Sequence, residues 1–330
     1  MGTETLSPAP LLSIEDLRIR IAGVNVVDGV SLSVDQGKVL AIVGESGCGK
    51  SLTALSILQL LPQAARIVGG RIHLEGRELT ALDEAALRRI RGDRASFIFQ
   101  EPIASLNPLM RVGAQVEEAL KIHRALSDAE AARDAVAMLA RVGISDPQLR
   151  ARQYPFELSG GMCQRIMIAA ALVCRPRLLI ADEPTTALDV TIQAQILDLM
   201  KRLRDEVGTT ILLITHDMGV VAEMADDVAV MYGGRVIESG PVDLIFAAPA
   251  HPYTRLLLDT VPKLDGPRKI ALRTIEGMVP SADAWPEGCR FLNRCPLATE
   301  RCTHRPELAP AGRPEHKTAC WHSDRVAAMA

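Results

Sequence analysis

The pattern that most restricts the fold of this chain is a glycine-rich loop between a short apolar run and a predicted helix. Glycines in such a loop let successive backbone N–H groups turn inward around phosphate oxygens, and the following helix points its N-terminus at the same charge. Lys50 would reach the β- and γ-phosphates, and Ser51 would bind Mg²⁺. A chance glycine-rich turn is the alternative, which the strand before the loop and the helix after it disfavour. The loop fits G-x-x-x-x-G-K-S with Gly44, Glu45, Ser46, Gly47, Cys48, Gly49, Lys50 and Ser51.

Three short apolar runs predict strands that are buried on both faces. They are Val39–Val43, Leu178–Ala181 and Ile211–Ile214, and none of them alternates with polar residues, which is typical of a parallel sheet. Ligands of open α/β sheets bind beyond the carboxyl ends of the strands, so these three ends predict one shared site. Polar residues follow the runs directly, namely Gly44–Ser46, Asp182–Glu183 and Thr215–His216.

Two adjacent carboxylates, Asp182 and Glu183, come at the end of the second run. Buried carboxylates are unfavourable unless they meet a cation or exchange a proton. We therefore expect Asp182 to hold the Mg²⁺ shell and Glu183 to polarise an attacking water. A solvated turn before Pro184 is the alternative, which the apolar run disfavours.

A second anion-binding helix start is predicted at Leu158-Ser-Gly-Gly-Met-Cys-Gln164, with the helix itself running from about Arg165 to Cys174. The loop at residues 44–51 already serves the phosphates within one chain. A second such feature therefore suggests a nucleotide that two subunits share. The base-reading Asn-Lys-x-Asp pattern of GTPases is absent, because none of the asparagines precedes a lysine.

The remaining segments predict smaller elements around this sheet. Residues 11–38 and 71–79 partly alternate, the latter around a Glu75–Gly76 turn, which predicts a small antiparallel sheet. Gly233–Gly234 separates Val228–Met231 from Arg235–Glu238 and predicts a hairpin.

The chain divides into a predicted cassette, residues 11–261, and an appendage, residues 262–330. Within the cassette, residues 103–175 form a predicted helical part, and Ser127–Glu130 fits a capping box. Beyond Val261 the sequence is rich in proline and cysteine and shows little periodicity, which predicts a loop-rich structure.

Composition excludes some classes of protein. The 37 Lys+Arg and 40 Asp+Glu residues give a net charge of −3, which disfavours a general nucleic-acid binder, so we expect no nucleic-acid partner. The longest apolar run, Ile166–Cys174, is too short to span a bilayer, which takes about 20 apolar residues. Residues 1–10 show no signal-peptide pattern. We expect a cytoplasmic protein unless a partner holds it on a membrane.

Taken in order, these motifs resemble those of the ATP-binding cassette (ABC) family of transport ATPases, from about Leu12 to the C-terminus. Residues 44–51 match its Walker A loop, and Leu178–Glu183 match its Walker B motif. The resemblance implies a P-loop NTPase cassette with a mixed core sheet, a small antiparallel β subdomain and a helical subdomain. The signature motif of the family is matched by Ser159, Gly160, Gly161 and Met162.

The resemblance also implies roles for single residues. Gln100 matches the Q-loop glutamine, which contacts Mg²⁺ and couples to membrane subunits, and His216 matches the switch histidine that contacts the γ-phosphate. Glu183 is implied as the catalytic carboxylate, and Asp189 belongs to the D-loop, residues 187–189. ATP would lie against the signature motif of a second subunit. The implied ligands of Mg²⁺ are Ser51, Gln100 and Asp182.

A finer resemblance is to the D-type ATPase subunits of oligopeptide and dipeptide importers. It rests on residues 100–108, residues 182–195 and His251-Pro-Tyr-Thr254. It implies peptide import through two membrane permease subunits, with an extracytoplasmic solute-binding protein and a distinct F-type ATPase as partners. The chain would then lie at the cytoplasmic face of the inner membrane.

Nickel and glutathione importers share much of the pattern and remain alternatives. A soluble, non-transport cassette ATPase is less favoured, because such proteins usually carry two cassettes or a coiled-coil insertion.

Two features of the nucleotide-binding sequence are unusual. Members of the family usually place an aromatic residue before the first core strand to stack on adenine, and none occurs between Arg20 and Val26. Cys48 lies inside the phosphate loop, where inward N–H groups are expected to lower its thiol pKa and make it sensitive to oxidation.

The appendage contains four cysteines in the pattern C-x5-C-x6-C-x17-C. In a reducing compartment this density favours a metal site over disulfides. Zinc sites usually show closely spaced cysteine pairs, whereas four thiolates also suit an iron–sulfur cluster, and unliganded thiols remain open. The segment resembles the C-terminal extension of peptide-importer ATPases, which implies a [4Fe–4S] cluster. Its ligands would be Cys289, Cys295, Cys302 and Cys320.

Overall fold

The computed structural model describes residues 9–186, 189–261 and 274–329. The chain forms two compact units, each assembled from segments that are distant in sequence. The first unit takes in Val34–Lys38 and Leu74–Leu213, and the second takes in Ser13–Ser33, Val39–His73 and the chain from Ile214 onward. Within the described ranges, no helix has both the length and the apolar character needed to cross a membrane.

The described residues form the following strands and α-helices. The strands are β1 Leu12–Ile21, β2 Val24–Val34, β3 Val39–Val43, β4 Ala65–Leu74, β5 Arg77–Glu78, β6 Ala95–Ile98, β7 Leu178–Asp182, β8 Thr210–Ile214, β9 Asp227–Tyr232, β10 Arg235–Pro241, β11 Ala309–Ala311 and β12 Arg313–Thr318. The α-helices are α1 Lys50–Ile57, α2 Glu84–Ile90, α3 Pro102–Ser105, α4 Val112–His123, α5 Asp128–Arg141, α6 Pro147–Arg150, α7 Gly160–Leu172, α8 Val190–Val207, α9 Met218–Met224, α10 Val242–Ala247 and α11 Pro252–Asp259.

The first unit combines parallel strands with a group of packed helices. Strands β6 and β7 pair in parallel, and every residue of β7 and β8 is buried, as the apolar runs predict. Helices α4, α5 and α7 contact one another. The capping box at the start of α5 is confirmed, since the Ser127 N–H donates to Glu130 Oε2 at 2.8 Å.

Helix α7 begins earlier than the sequence analysis predicts. The predicted start was about Arg165, whereas the helix begins at Gly160 and Ser159 caps it by accepting the Met162 N–H. A serine hydroxyl at the N-cap satisfies one of the unpaired N–H groups of the first turn, which lets the two glycines that follow adopt helical backbone. The signature motif is therefore the helix start itself and not a loop before it.

The second unit contains a mixed sheet and a separate small sheet. Strands β3 and β9 pair in parallel, while β9 and β10 form the predicted antiparallel hairpin. Strands β2, β1 and β4 are neighbours, in that order, in the separate sheet. The predicted loop-rich appendage also contributes β12, which pairs antiparallel with β10, and β11, which pairs with β12. The sequence analysis did not predict these two strands. The predicted domain boundary at residues 261/262 adjoins residues 262–273, which lie outside the described ranges, and it stays a prediction.

The C-terminal extension packs into the core that supports the phosphate loop. Ala41 and Val43 of β3 belong to the same buried cluster as Phe291. Phe291 contacts Tyr232 and Tyr253, with ring centroids 5.1 and 5.4 Å away. Burial of large aromatic rings is among the strongest contributions to core stability, so this part of the extension is integral to the unit.

One buried carboxylate joins three elements of the second unit. Glu238 of β10 is fully buried and accepts the N–H groups of Ala250 and His251, at 2.6 and 2.9 Å. Its Oε1 also lies 2.7 Å from Nε2 of His316 in β12. Glu238 thereby fixes the start of α11 and the position of β12.

Replacing Glu238 with Ala is expected to lower the free energy of unfolding by roughly 3 kcal/mol, because it leaves two backbone N–H groups and an imidazole without their partner in a buried site. Urea unfolding followed by circular dichroism measures this change. The matched control is Glu287→Ala, since Glu287 is exposed and surface changes usually stay within about 0.5 kcal/mol. Equal losses in the two variants would contradict the role of Glu238.

Candidate functional site

The phosphate loop is fixed by a close approach of its first glycine to a neighbouring strand. Gly44 follows the buried strand β3 with φ +148°, and a Cβ at this position would lie 2.2 Å from the carbonyl oxygen of Met231. Gly49 is the N-cap residue of α1 with φ +98°. Both conformations favour glycine, which explains why the loop needs this residue at these two positions.

Lys50 points back into the loop that precedes it. Its side chain is buried, and Nζ donates to the carbonyl oxygens of Gly44 and Glu45 at 2.7 and 3.1 Å. A buried ammonium group surrounded by loop backbone is suited to bind phosphate oxygens. Ser51 follows it in the first turn of α1.

Two side chains from the C-terminal part of the chain hold Glu45. The Glu45 N–H donates to the hydroxyl of Tyr253 at 2.8 Å. Arg294 donates to both carboxylate oxygens of Glu45, at 2.7 and 3.1 Å. The sequence analysis assigned no role to either residue. Tyr253 lies in the His251–Thr254 motif, but a contact between residues 249 positions apart leaves no local signal for Arg294.

The prediction of a reactive Cys48 is wrong. The side chain is fully buried, and this burial raises the pKa of the thiol, although the nearby Lys50 lowers it. Desolvation disfavours the thiolate more than the inward N–H groups favour it. Cys48 is a small packing residue beneath the loop.

In the first unit, Gln100 and Thr186 hold the proposed catalytic carboxylate. Glu183 follows β7 with φ +47°, and its Oε2 accepts Gln100 Nε2 at 3.0 Å and Thr186 Oγ1 at 2.8 Å. Two donors on one oxygen fix the orientation of the carboxylate. Asp182, at the buried end of β7, is 6% exposed. The predicted pair Gln100 and Glu183 is therefore brought together by the fold of this unit.

The signature motif lies at an exposed helix start. Ser159 is exposed, and a Cβ at Gly160 would meet no other atom within 4 Å. The same helix contacts the segment after Glu183, because the buried Gln164 Nε2 donates to the carbonyl oxygen of Pro184 at 2.5 Å. This contact ties the start of α7 to the loop that carries the carboxylates.

The two remaining predicted residues lie beside helix starts. Asp189 caps α8 by accepting the Ile192 N–H at 2.9 Å, while residues 187 and 188 of the D-loop are outside the described ranges. His216 follows β8 in the second unit and is exposed. The next residue, Asp217, caps α9 by accepting the Gly219 N–H at 2.8 Å, so His216 sits on a turn that is fixed on both sides.

Comparison with known proteins identifies the family. The ABC transporter family matches residues 27–186, and the family described as "Oligopeptide/dipeptide transporter, C-terminal region" matches residues 237–302. The probable peptide ABC transporter ATP-binding protein y4tR of Sinorhizobium fredii is 50% identical over 321 residues, which covers 96% of each chain. The chain belongs to the ABC transporter ATPases. The oligopeptide transport ATP-binding protein AppD of Bacillus subtilis is 51% identical over 86% of each chain.

Solved ABC cassettes confirm the predicted fold. The post-hydrolysis dimer of the ATP-binding cassette MJ0796, bound to ADP and Pi, superposes with a TM-score of 0.63 at 29% identity, covering 70% of this chain and 98% of that one. CbiO1 of Clostridium perfringens gives a TM-score of 0.63 at 29% identity, covering 72% and 91% of the two chains. The chain is thus an ABC ATPase, and ATP and Mg²⁺ are the cofactors that this family implies.

The sequence analysis predicts a metal cluster at the C-terminal cysteines of this ABC ATPase. All four C-terminal cysteines are free thiols, but among the residues that the structure describes no group of three or more His, Cys, Asp or Glu side chains is arranged to hold a metal ion. Burial raises the pKa of Cys295 to about 11 and that of Cys320 to about 12. The predicted iron–sulfur cluster is therefore not supported by the arrangement of the side chains.

Proposed function

We propose that this chain is the ATP-hydrolysing subunit of an importer for di- and oligopeptides. The observation that carries the proposal is the oriented carboxylate of Glu183, held by Gln100 and Thr186 on a chain that also contains a phosphate loop. The match of residues 237–302 to the oligopeptide/dipeptide C-terminal region and the names of the relatives support the peptide substrate. Import of nickel or glutathione is the alternative substrate assignment.

In this proposal, the residues of the site have separate roles in ATP hydrolysis. The loop at residues 44–51 binds the phosphates, and Lys50 neutralises part of their charge. The hydroxyl, amide and carboxylate oxygens of Ser51, Gln100 and Asp182 are ligands of the type that Mg²⁺ prefers, and the bound ion offsets charge on the phosphates. Glu183 orients the attacking water and accepts its proton, and His216 contacts the γ-phosphate. Preorganised charge of this kind contributes most of the catalysis in phosphoryl transfer.

The signature motif serves the ATP of a second cassette in this proposal. Helix α7 begins directly after the exposed Ser159, and the N–H groups in the first turn of such a helix start bind anions. A Cβ at Gly161 would lie 3.2 Å from Cγ2 of Ile192, whose N–H donates to Asp189, so we assign Asp189 to the same contact. We assign the second cassette to a distinct F-type subunit.

Membrane subunits are the further partners that we propose. Three large apolar side chains that are close to Gln100 in the sequence are exposed: Phe99 at 41%, Ile103 at 63% and Leu109 at 85%. Exposed apolar side chains grouped in this way mark a protein–protein contact more often than isolated ones do. We assign this surface to the permease subunits, which would hold the chain at the cytoplasmic face of the membrane. A solute-binding protein would deliver the peptide from the other side.

Changing Glu183 to Gln is expected to leave ATP binding intact and to reduce the rate of hydrolysis at least about 100-fold, because the amide keeps the shape of the side chain but cannot accept a proton. Phosphate release and equilibrium binding of labelled ATP measure the two effects. The matched control is Glu118→Gln on the exposed side of α4, which should change neither. Near wild-type hydrolysis by the Glu183→Gln variant would exclude Glu183 as the base.

Purification of the tagged chain from gently solubilised membranes tests the transport assignment. We expect two membrane-spanning subunits and a second cassette to co-purify. In proteoliposomes with the cognate solute-binding protein, di- or oligopeptides should stimulate ATP hydrolysis, whereas nickel chelates and glutathione should not. Stimulation by one of the latter would replace the peptide assignment, and a chain found alone in the soluble fraction would contradict the importer.

We also propose that the C-terminal thiols bind a [4Fe–4S] cluster. Support comes from the resemblance of the extension to those of peptide-importer ATPases and from the adjacent placement of two of the cysteines, since the Cys289 N–H donates to the carbonyl oxygen of Cys302 at 2.9 Å. The His322 N–H also donates to Cys320 Sγ at 3.3 Å, and such N–H groups stabilise the sulfurs of cluster ligands.

Chain purified without oxygen is expected to contain iron and acid-labile sulfide in equal amounts and to absorb visible light. Cys320→Ser should lose both elements, whereas Cys174→Ala, which changes a buried cysteine of the first unit, should retain them. Zinc without sulfide, or no metal, would contradict the cluster.

A further inference from the structure

An ion pair between a buried arginine and a partly buried carboxylate connects the C-terminal extension to the phosphate loop. Arg294 lies at the end of a short 3₁₀ turn, Leu292–Arg294, directly before Cys295. Its side chain is only 4% exposed, and it donates to both carboxylate oxygens of Glu45. A guanidinium group that binds a carboxylate through two donors fixes direction as well as distance.

Arg294 is itself held in place by the extension. Its Nε donates to the carbonyl oxygen of Glu276 at 2.9 Å, and Nη2 donates to the carbonyl oxygens of Ile275 and Gly277 at 3.3 and 3.2 Å. The guanidinium carbon also lies 5.8 Å from the centre of the Tyr232 ring. With all these contacts made, Arg294 cannot move without the segment at residues 275–277 and the turn at residues 292–294.

Glu45 in turn sets part of the phosphate loop. Its carbonyl oxygen accepts a hydrogen bond from Lys50 Nζ, and its N–H is fixed by Tyr253. A displacement of the Glu45 side chain therefore also shifts the backbone that positions Lys50. The Glu45 side chain points to the extension, so its role differs from that of the loop groups assigned to phosphate.

Stability alone is a weak reason for this pair. Burying an arginine and a carboxylate loses the solvation of both, and well-packed apolar residues often serve stability as well or better. What the pair adds is a defined position of one segment relative to another. Here the two segments are the phosphate loop and the cysteine-containing part of the extension.

We propose that Arg294 is a positioning residue for ATP binding and that its pair with Glu45 couples the phosphate loop to residues 289–302. This deepens the proposed function and rests on the assigned ATP site. Coupling between two sites is reciprocal, so ATP in the loop orders the extension, and a change at the Cys295 sulfur alters the affinity for ATP.

Hydrogen–deuterium exchange of the full-length chain tests the coupling, in the Glu183→Gln background so that bound ATP persists. In this parent, ATP should slow exchange in residues 44–51 and also in residues 289–302. In Arg294→Ala and in Glu45→Gln, ATP should slow exchange in the loop only, and the Kd for ATP should rise about tenfold. The double variant should bind ATP no more weakly than either single variant, because each change removes the same interaction.

Two further variants separate positioning from folding. Arg294→Lys keeps the charge but loses the two-donor geometry, so its affinity for ATP should be intermediate. Arg301→Ala is the matched control, because Arg301 belongs to the same extension but packs on Trp321, 4.3 Å from the ring centre; it should behave as the parent.

The outcomes distinguish the two levels of the proposal. A parent that gains no protection at residues 44–51 with ATP overturns the ATP site and the coupling together. Protection there without protection at residues 289–302 overturns the coupling alone. If Arg294→Ala lowers the melting temperature while protection of residues 289–302 by ATP persists, the role of Arg294 is structural only and the proposal fails.

Discussion

The phosphate loop depends on the contact between the Gly44 backbone and the carbonyl oxygen of Met231. This approach is so close that no side chain fits at residue 44, and it fixes the end of β3 against the last residues of strand β9. The hairpin of β9 and β10 then has a defined position relative to the loop, and β12 pairs with β10. Tyr253 and Arg294 hold the loop further, because both of them bind Glu45. The loop is thus supported from one side by the sheet and from another by the C-terminal extension.

Local patterns in the sequence predict several elements of the cassette. The strands β3, β7 and β8 were recognisable because residues buried on both faces of a sheet form continuous apolar runs. The capping box before α5 and the turn between β9 and β10 were recognisable because each needs particular residues at fixed spacing. Strand β12 was missed because its sequence, Arg313-Pro-Glu-His-Lys-Thr318, is polar. It forms a strand because its backbone pairs with the edge of β10. Pairing between segments so far apart leaves no pattern in a short window of sequence.

The same distinction applies to the site. The sequence motifs identify the phosphate loop, the carboxylates and the signature helix, because the reactive groups of each feature lie on neighbouring residues of the sequence. Cys48 was misjudged because a loop of N–H groups does favour a thiolate, but the apolar surroundings, which only the fold reveals, favour the thiol more. Arg294 was missed for a related reason, since its partner lies near the other end of the chain. Motifs therefore identify the groups that react, and the tertiary structure identifies the groups that hold them.

The buried contact between Glu238 and His316 bears on how this protein can have acquired its extension. A separate domain that was added to the cassette would contact it through a small, solvated surface, and each of the two surfaces would be stable without the other. Here β10 of the cassette contributes the fully buried carboxylate of Glu238, and the extension contributes His316, which contacts that carboxylate. A cassette that ended before β11 would need a different residue at position 238 and another way to cover the edge of β10. We therefore expect position 238 and the part of the extension that faces it to change together, and compensating substitutions across this contact are the trace that such joint change would leave.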